Sequence, residues 1–278
     1  MSERQQADEH GPAMTAIDEL FERTRAENRA ALVGYLPAGF PTVDGSIAAI
    51  RAMVEGGVDL VEVGLPYSDP VMDGPTIQAA AEAALVNGTR VDDVFRVVEA
   101  SAATGAPTVV MTYWNPVERR GVDRFAADLA AAGGAGLITP DLIPDEGTEW
   151  DRASRAHGLD RVYLVSPSST DDRLAMTADA SSGFIYATAV MGVTGTREQS
   201  SSLAPELVAR LRKVTDKPVG VGLGVSNGAQ AHEIAEFSDA VIVGSALVRC
   251  LLDQPDQQSA LTSLRELAAE LRAGVERD

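Results

Sequence analysis

The sequence alternates short apolar runs with longer segments of helical periodicity along almost its whole length. About eight of the runs have the length of β-strands, and most are continuously apolar, as at Gly136 to Thr139 and Ala240 to Val243. Strands that are apolar on both faces are typical of a parallel sheet covered by helices on both sides. Eight strand–helix units predict an α/β fold closed into a (β/α)8 TIM barrel, and a doubly wound open sheet is the structural alternative.

A single barrel domain accounts for nearly all of the chain. Residues 1–12 are predicted to form a disordered N-terminal tail and residues 13–274 one catalytic domain. An additional N-terminal helix is predicted because Thr15 and Asp18 resemble a capping box before an apolar helical face. Short helical insertions are also expected. Further predicted segments are a strand over 59–64, helices over 75–86, 91–104, 145–157 and 203–214, and loops over 112–116 and 191–199.

Composition and charge limit the partners and the compartment. The 278 residues are 45% hydrophobic, and a formal net charge of −18 argues against a nucleic-acid or anionic-membrane partner. No apolar segment approaches the roughly 18 residues of a membrane span, and the acidic N-terminus is unlike a signal peptide. Cys250 is the only cysteine and forms no internal disulfide, so we expect a cytoplasmic protein.

One carboxylate interrupts an apolar strand. Period-two alternation places Glu62 on the same strand face as Leu60 and Gly64, opposite Val61 and Val63. A buried carboxylate costs several kcal/mol unless it is paired, protonated or used in chemistry. We predict that Glu62 points into the barrel mouth with a raised pKa suited to proton transfer. A glutamate satisfied by backbone groups or tyrosine hydroxyls is the alternative.

A second acid, Asp73, lies in the proline-rich loop after this strand. Asp73-Gly-Pro75 precedes a predicted helix, and an aspartate there is also ordinary N-cap chemistry, so capping and catalysis remain equal alternatives. In a barrel the active site lies at the C-terminal ends of the strands. The polar residues expected at that end are Glu62, Tyr67, Asp69, Asp73, Tyr113, Asn115, Asp141, Tyr186 and Thr194.

Three late glycine-rich segments predict a phosphate site. They are Gly220 to Ser226, Val243 to Ala246 and Gly192 to Gly195. The first two each end a strand and open a helix, where backbone N–H groups and the helix N-terminus hold phosphate in barrels. Simple turn formation is the alternative for any one of them alone.

The remaining residue types restrict the chemistry. Lys213 is predicted in a helix and Lys217 just before a strand, so neither reaches the barrel mouth and a lysine Schiff base is not expected. The three histidines lack metal-ligand spacing. We therefore expect carboxylate acid/base chemistry on a phosphorylated small molecule, with no metal or organic cofactor.

These motifs resemble a known family. The stretch Val61 to Gln78, with Thr112 to Pro116, Pro140 to Asp145, Gly192 to Arg197, Gly222 to Ser226 and Gly244-Ser245, is similar to the tryptophan synthase alpha subunit family, in the family's order. The resemblance implies retro-aldol cleavage of indole-3-glycerol phosphate to indole and glyceraldehyde 3-phosphate. It implies that Glu62 protonates indole C3 and takes up the glycerol hydroxyl proton, and that Asp73 binds the indole N–H.

The resemblance also supplies binding residues and a partner. Tyr35, Met111, Ile138, Tyr186 and Thr194, with Tyr113 added from its place at the barrel mouth, are the predicted substrate-binding residues, and Gly195, Gly224, Gly244 and Ser245 are the predicted phosphate-binding residues. The implied partner is the pyridoxal-phosphate-dependent beta subunit, in an alpha2-beta2 complex. Pro66, Asp69, Pro70, Asn115 and Pro116 are predicted to contact it.

Two departures from the family pattern leave the acid/base pair intact. Ala187 to Met191 differs from the more usual serine-containing segment, which puts the behaviour of the following loop in doubt, and Gly34 stands where many members carry proline. Three alternatives in function remain at this level: a stand-alone lyase that releases free indole, a catalytically silent barrel that activates a partner, and another phosphosugar isomerase or epimerase.

Overall fold

The chain forms a closed parallel barrel, as its strand pattern predicts. The computed structural model describes residues 14–188 and 197–277. Within them, eight parallel strands pair in sequence order, and β1 closes the barrel by pairing with β8. The strands are β1 (Ala31–Pro37), β2 (Leu60–Gly64), β3 (Thr108–Met111), β4 (Gly136–Thr139), β5 (Asp160–Val165), β6 (Ile185–Thr188), β7 (Val219–Gly222) and β8 (Ala240–Val243).

Helices alternate with the strands, and most of them cover the outer face of the barrel. They are α1 (Ala16–Ala26), α2 (Val43–Glu55), α3 (Pro75–Val86), α4 (Val91–Ala102), α5 (Trp114–Arg120), α6 (Val122–Ala131), α7 (Thr148–His157), α8 (Asp171–Ala180), α9 (Arg197–Leu211), α10 (Gly228–Ala235), α11 (Ser245–Leu252) and α12 (Gln257–Gly274). None of the helices among the described residues combines the length and apolarity that a membrane crossing requires.

The N-terminal helix α1 closes one end of the barrel. Thr15 and Asp18 form the predicted capping box, with both reciprocal hydrogen bonds present. Leu20 and Phe21 are buried among inward-facing strand residues, and the rings of Phe21 and Phe184 lie 5.9 Å apart. The opening of the barrel therefore lies at the other end, where the strands finish.

Alternation within β2 follows the sequence prediction. All five residues of the strand are buried, with Leu60 in the barrel interior and Val61 and Val63 in the layer between strands and helices. Glu62 thus shares the interior face with Leu60. This face leads towards the open end of the barrel.

Three segments differ from the predictions. Residues 114–116, predicted as loop, begin α5, because Pro116 lies in the first helical turn, where a missing N–H disturbs no hydrogen bond. The predicted helix over 145–157 is divided by Gly147 into a 3₁₀ turn (Pro144–Glu146) and α7. Helix α9 begins at Arg197, six residues before the predicted start, and contains Pro205. Residues 191–196 of the predicted loop lie outside the described residues.

Candidate active site

A cavity of about 250 Å³ opens at the C-terminal end of the barrel, a size suited to a small molecule. Eight of the predicted site residues line it together: Tyr35, Glu62, Asp73, Met111, Tyr186, Gly224, Gly244 and Ser245. Residues 194 and 195, also predicted for the site, lie outside the described residues. Ile138 is fully buried beside Met111 in the strand register and does not line the cavity.

Several lining residues were not predicted. They are Met72, Gly74, Ile77, Leu164, Thr188 and Ile242, together with Gly222, which lies in the predicted phosphate segment Gly220 to Ser226 but was not singled out within it. Leu164, Thr188 and Ile242 occupy the last or second-last position of their strands, and Gly222 ends β7. Their position at the strand ends was the available signal, but their apolar or small side chains carry no chemistry that would single them out.

Glu62 is the most deeply buried acid of the cavity. The residue is only 1% exposed, and its Oε2 atom has no hydrogen-bond partner among the described residues. Burial, reinforced by the charge of Asp73, raises the pKa of Glu62 to about 8. The alternative of a fully satisfied structural glutamate is therefore wrong for Oε2. At neutral pH this carboxyl holds a proton that it can donate.

Asp73 does not cap the helix that follows it. The N-cap of α3 is Gly74, Pro75 follows at the first helical position, and no side chain caps this end. Asp73 Oδ1 instead accepts a hydrogen bond of 3.3 Å from the Tyr113 hydroxyl. Burial raises the pKa of Asp73, and the hydrogen bond from Tyr113 opposes that rise. The capping alternative is thereby excluded, and the carboxyl borders the cavity.

Tyr113 serves as an anchor for the loop between β2 and α3. Its hydroxyl oxygen accepts hydrogen bonds from the N–H groups of Val71 (3.1 Å) and Met72 (3.0 Å). Its ring packs against that of Tyr67, with centroids 5.2 Å apart. The side chain contacts this loop and does not line the cavity, which was not apparent from its place after β3.

Two other tyrosines flank Glu62. Tyr35 lies beside Glu62 in the β1–β2 register, and a Cβ at Gly64 would collide with its ring. Tyr186 similarly lies over Gly222, where a Cβ would be 2.7 Å from the hydroxyl. Burial raises the pKa of both phenols well above the usual value, with Asp73 and Glu62 adding to the effect on Tyr35 and Glu62 to that on Tyr186. Both remain neutral hydroxyls.

The two helix starts near the predicted phosphate site differ in their capping. At α10 the Asn227 side chain accepts from the N–H of Gln230, and the N–H of Ser226 donates to the Gln230 side chain. At α11 the N-cap is Gly244, and no side chain caps this helix. The N–H groups at the start of α11 are therefore the ones open to an anion, with Ser245 beside them.

The two lysines lie away from the cavity. Lys217 donates to the carbonyl oxygens of Ala178 and Ser181 just before β7, which places it at the end where the strands begin. Lys213 follows α9, which ends at Leu211, so its predicted position within a helix is wrong. No cluster of histidine, cysteine or acidic residues suited to a metal occurs among residues 14–188 and 197–277.

Three of the five predicted partner-contact residues line one groove on the surface. Pro66, Asn115 and Pro116 line a second groove of about 500 Å³, together with residues of α4. Asp69 and Asn115 are exposed, whereas Pro66 is buried.

The fold and the cavity define a class of protein. A parallel (β/α)8 barrel with two acids at its mouth and an uncapped helix N-terminus across the same cavity is the arrangement of a barrel enzyme that performs acid/base chemistry on a phosphorylated small molecule.

Comparison with known proteins identifies the family. The family model described as tryptophan synthase alpha chain matches residues 21–276. The tryptophan synthase alpha chain of Salinispora arenicola is 66% identical over 262 residues, which is 94% of this chain and 98% of the relative. That of Mycobacterium marinum is 61% identical over 256 residues, which is 92% of this chain and 93% of the relative.

Solved structures show the same similarity to tryptophan synthase. A structure of Mycobacterium tuberculosis tryptophan synthase aligns with a TM-score of 0.89 and 58% identity, covering 95% of this chain and 99% of that one. The alpha subunit from Legionella pneumophila aligns with a TM-score of 0.85 and 30% identity, covering 95% and 99%. The chain therefore belongs to the tryptophan synthase alpha chain family. Members of this family are lyases that cleave indole-3-glycerol phosphate. The comparisons therefore confirm both the family and the reaction that the motifs predict.

Proposed function

We propose that the chain cleaves indole-3-glycerol phosphate with Glu62 as acid and base and Asp73 as the partner of the indole nitrogen, within one catalytic domain spanning residues 13–274. The observation that carries this assignment is the burial of Glu62. Its pKa of about 8 and the unpartnered Oε2 atom leave a proton available at the cavity at neutral pH. A solvated glutamate would have lost that proton.

The carbon–carbon bond breaks only after the indole ring can accept its electrons. Glu62 transfers its proton to indole C3, which leaves a cationic ring. The hydroxyl on the breaking carbon then returns a proton to Glu62 as that carbon becomes the aldehyde of glyceraldehyde 3-phosphate. The electrons of the broken bond restore the neutral indole. One carboxyl thus ends the cycle in the state in which it began.

Asp73 accepts a hydrogen bond from the indole N–H and thereby stabilises the positive charge that develops on the ring nitrogen. The hydrogen bond from Tyr113 supports this role, because it favours the ionised carboxylate against the effect of burial. Tyr35, Met111 and Tyr186 form the walls around the ring, and Ile138 supports Met111 from within the barrel. Thr194 stays a proposal from the resemblance alone.

The phosphate binds at the start of α11. Gly244 and Ser245 offer backbone N–H groups at a helix end that lacks a side-chain cap, and Gly224 adopts a positive φ of 66° beside them. Gly195 completes this proposed set from outside the described residues. The partial positive charge of these N–H groups at the helix N-terminus lets a chain with a net charge of −18 hold an anion.

A beta subunit is the proposed partner, in an alpha2-beta2 complex that passes indole between two active sites. The proposed contact consists of Asp69, Pro70, Asn115 and Pro116, together with Pro66 in the wall of the groove. The exposure of Asp69 and Asn115 on adjacent segments supports it. The prolines favour docking because a stiff loop loses less conformational entropy.

An indole-release assay on purified protein, with and without a beta subunit, tests these assignments. We expect Glu62→Gln to lower turnover by at least roughly 10²-fold, the lower range for a positioned acid/base group. Glu99→Gln, on the exposed face of α4, is the matched control and should retain wild-type turnover. Unchanged indole release by Glu62→Gln would refute the mechanism. Equal wild-type rates with and without the beta subunit would favour a stand-alone lyase.

A further inference from the structure

The side chain of Tyr35 lies between two glycines at the mouth of the barrel. Tyr35 is on β1, Gly64 ends the neighbouring strand β2, and Gly244 follows β8 on the other side. A Cβ at Gly64 would collide with the Tyr35 hydroxyl, and a Cβ at Gly244 would lie 3.5 Å from the ring carbon Cδ1. Only 8% of the residue is exposed. The two glycine backbones therefore fix the ring with its hydroxyl over β2.

This position places the Tyr35 hydroxyl beside Glu62. The two residues are paired in the β1–β2 register, and Gly64, over which the hydroxyl lies, shares the interior face of β2 with Glu62. Both side chains line the cavity. Among the described residues, neither Glu62 Oε2 nor the Tyr35 hydroxyl has a hydrogen-bond partner. Buried polar groups without partners are rare, so two of them side by side call for a functional explanation.

The protonation states of the cavity determine what this hydroxyl can do. Burial, with the charges of Asp73 and Glu62, holds the pKa of the Tyr35 phenol well above its usual value, so the hydroxyl keeps its proton and can act as a donor. At neutral pH Glu62 also holds a proton, because its pKa is about 8. Once Glu62 has given that proton to indole C3, it is a buried carboxylate, which is costly without a hydrogen bond.

The other polar groups around Glu62 are committed or lie elsewhere. The Tyr113 hydroxyl donates to Asp73 Oδ1 and accepts from two backbone amides. The Tyr186 hydroxyl lies over β7, which is three strands away from β2 in the closed barrel. Asp73 is itself an acceptor. Of the titratable groups that face Glu62, Tyr35 is therefore the one that combines an uncommitted donor with a position over β2.

We propose that the Tyr35 hydroxyl donates a hydrogen bond to the Glu62 carboxylate while indole C3 holds the proton, which makes Tyr35 a positioning residue that acts through Glu62. This inference rests on the proposed function of Glu62. The proton passes from Glu62 to C3 and is replaced from the glycerol hydroxyl, whereas the phenol proton stays on Tyr35. A hydrogen bond to a carboxylate is stronger than one to a neutral acid, so it favours the transition state over the ground state.

Indole release by wild type, Tyr35→Phe and Tyr163→Phe tests this role. Tyr35→Phe keeps the ring that forms the cavity wall and removes only the hydroxyl. We therefore expect an unchanged KM and a kcat lower by at least about tenfold, as for the loss of a hydrogen bond to a charged group. Tyr163 is a buried tyrosine on β5 that does not line the cavity, so Tyr163→Phe controls for loss of a buried hydroxyl and should keep the wild-type kcat. A raised KM with unchanged kcat in Tyr35→Phe would overturn the proposal.

The pH dependence of kcat/KM distinguishes this hydrogen bond from a structural role. Glu62 acts as an acid only when protonated, so kcat/KM falls as the pH rises through its pKa of about 8. A donor to the carboxylate lowers that pKa, so Tyr35→Phe should move this basic limb to higher pH. Loosened packing would admit water and move the limb to lower pH, because burial is the main cause of the raised pKa.

A second substitution keeps the test independent of how well Tyr35→Phe folds. Incorporation of 3-fluorotyrosine at position 35 retains the hydroxyl and makes it a stronger donor, at nearly the same size. The basic limb should then move to lower pH, opposite to its shift in Tyr35→Phe. Shifts in the same direction for both substitutions would show that packing, and not the hydrogen bond, determines the pKa of Glu62.

The outcomes separate this inference from the proposed function. If Glu62→Gln loses indole release but Tyr35→Phe keeps the wild-type kcat and basic limb, the hydrogen bond is overturned and the role of Glu62 stands. If the limb moves to higher pH in Tyr186→Phe but not in Tyr35→Phe, the donor is the other tyrosine and the inference is also overturned. If Glu62→Gln releases indole at the wild-type rate, the proposed function fails and the inference fails with it.

Discussion

The ring of Tyr35 occupies the space that a side chain on Gly64 would need. A Cβ at Gly64 would come within 2.6 Å of two ring carbons of Tyr35 and would also collide with its hydroxyl. Tyr35 pairs with Glu62 in the strand register, two residues before Gly64. The absence of a side chain at Gly64 therefore determines how the Tyr35 ring stands beside Glu62 in the wall of the cavity.

Gly64→Ala should displace Tyr35 and damage both stability and activity. Overpacking in a full core typically costs about 1–3 kcal/mol, so we expect a decrease of that size in the free energy of unfolding, measured in urea. Because the ring moves beside Glu62, kcat/KM for indole release should also fall, by at least about tenfold. The double variant with Tyr35→Leu has a smaller side chain at the collision and should regain stability without regaining activity. Wild-type stability in Gly64→Ala would contradict the geometry.

The proton on Glu62 should make stability depend on pH. The pKa of Glu62 is raised by burial from 4.5 to about 8 in the folded chain. Below pH 4.5, the ordinary pKa of a glutamate, both the folded and the unfolded chain carry the proton. Between the two values only the folded chain keeps it, so this carboxyl lowers the free energy of unfolding as the pH rises, and the loss is complete above about pH 8.

Glu62→Gln lacks this titration. By calorimetry, the Tm of the variant relative to wild type should rise between pH 5 and pH 8 and then become constant. When Glu62→Gln is instead compared within the Asp73→Asn background, the rise should end at a lower pH, because the charge of Asp73 is the second cause of the raised pKa of Glu62. A Tm difference independent of pH would show that Glu62 titrates normally.

The barrel itself was predictable from the sequence, because continuous apolar strands and intervening helices repeat often enough to decide the architecture. The orientation of Glu62 was predictable for a similar reason, since alternation along β2 leaves it only the inner face.

The role of Asp73 was not predictable from local pattern. Asp73-Gly-Pro75 fits an N-cap as well as a catalytic acid, and only the structure, with Gly74 at the cap and the Tyr113 hydroxyl bonded to Asp73, excludes the N-cap. That contact joins residues 40 positions apart, and no periodicity encodes it. The start of α5 was missed because Pro116 reads as a loop residue unless the position of the helical turn is already known.

Ser245 and Ser226 provide a final test, because they stand at the starts of neighbouring helices in different surroundings. The Ser226 hydroxyl donates to the Gln230 side chain, whereas Ser245 borders the cavity at an uncapped helix. A hydrogen bond to a charged group contributes about 1.5–3 kcal/mol, so Ser245→Ala should raise the Kd for glycerol phosphate by at least about tenfold. The effect on kcat should be smaller, because the phosphate is remote from the breaking bond and is bound alike in the ground and transition states. Ser226→Ala should leave this Kd unchanged. Both Kd values are measured by isothermal titration calorimetry. A larger loss of affinity in Ser226→Ala than in Ser245→Ala would move the phosphate site from α11 to α10.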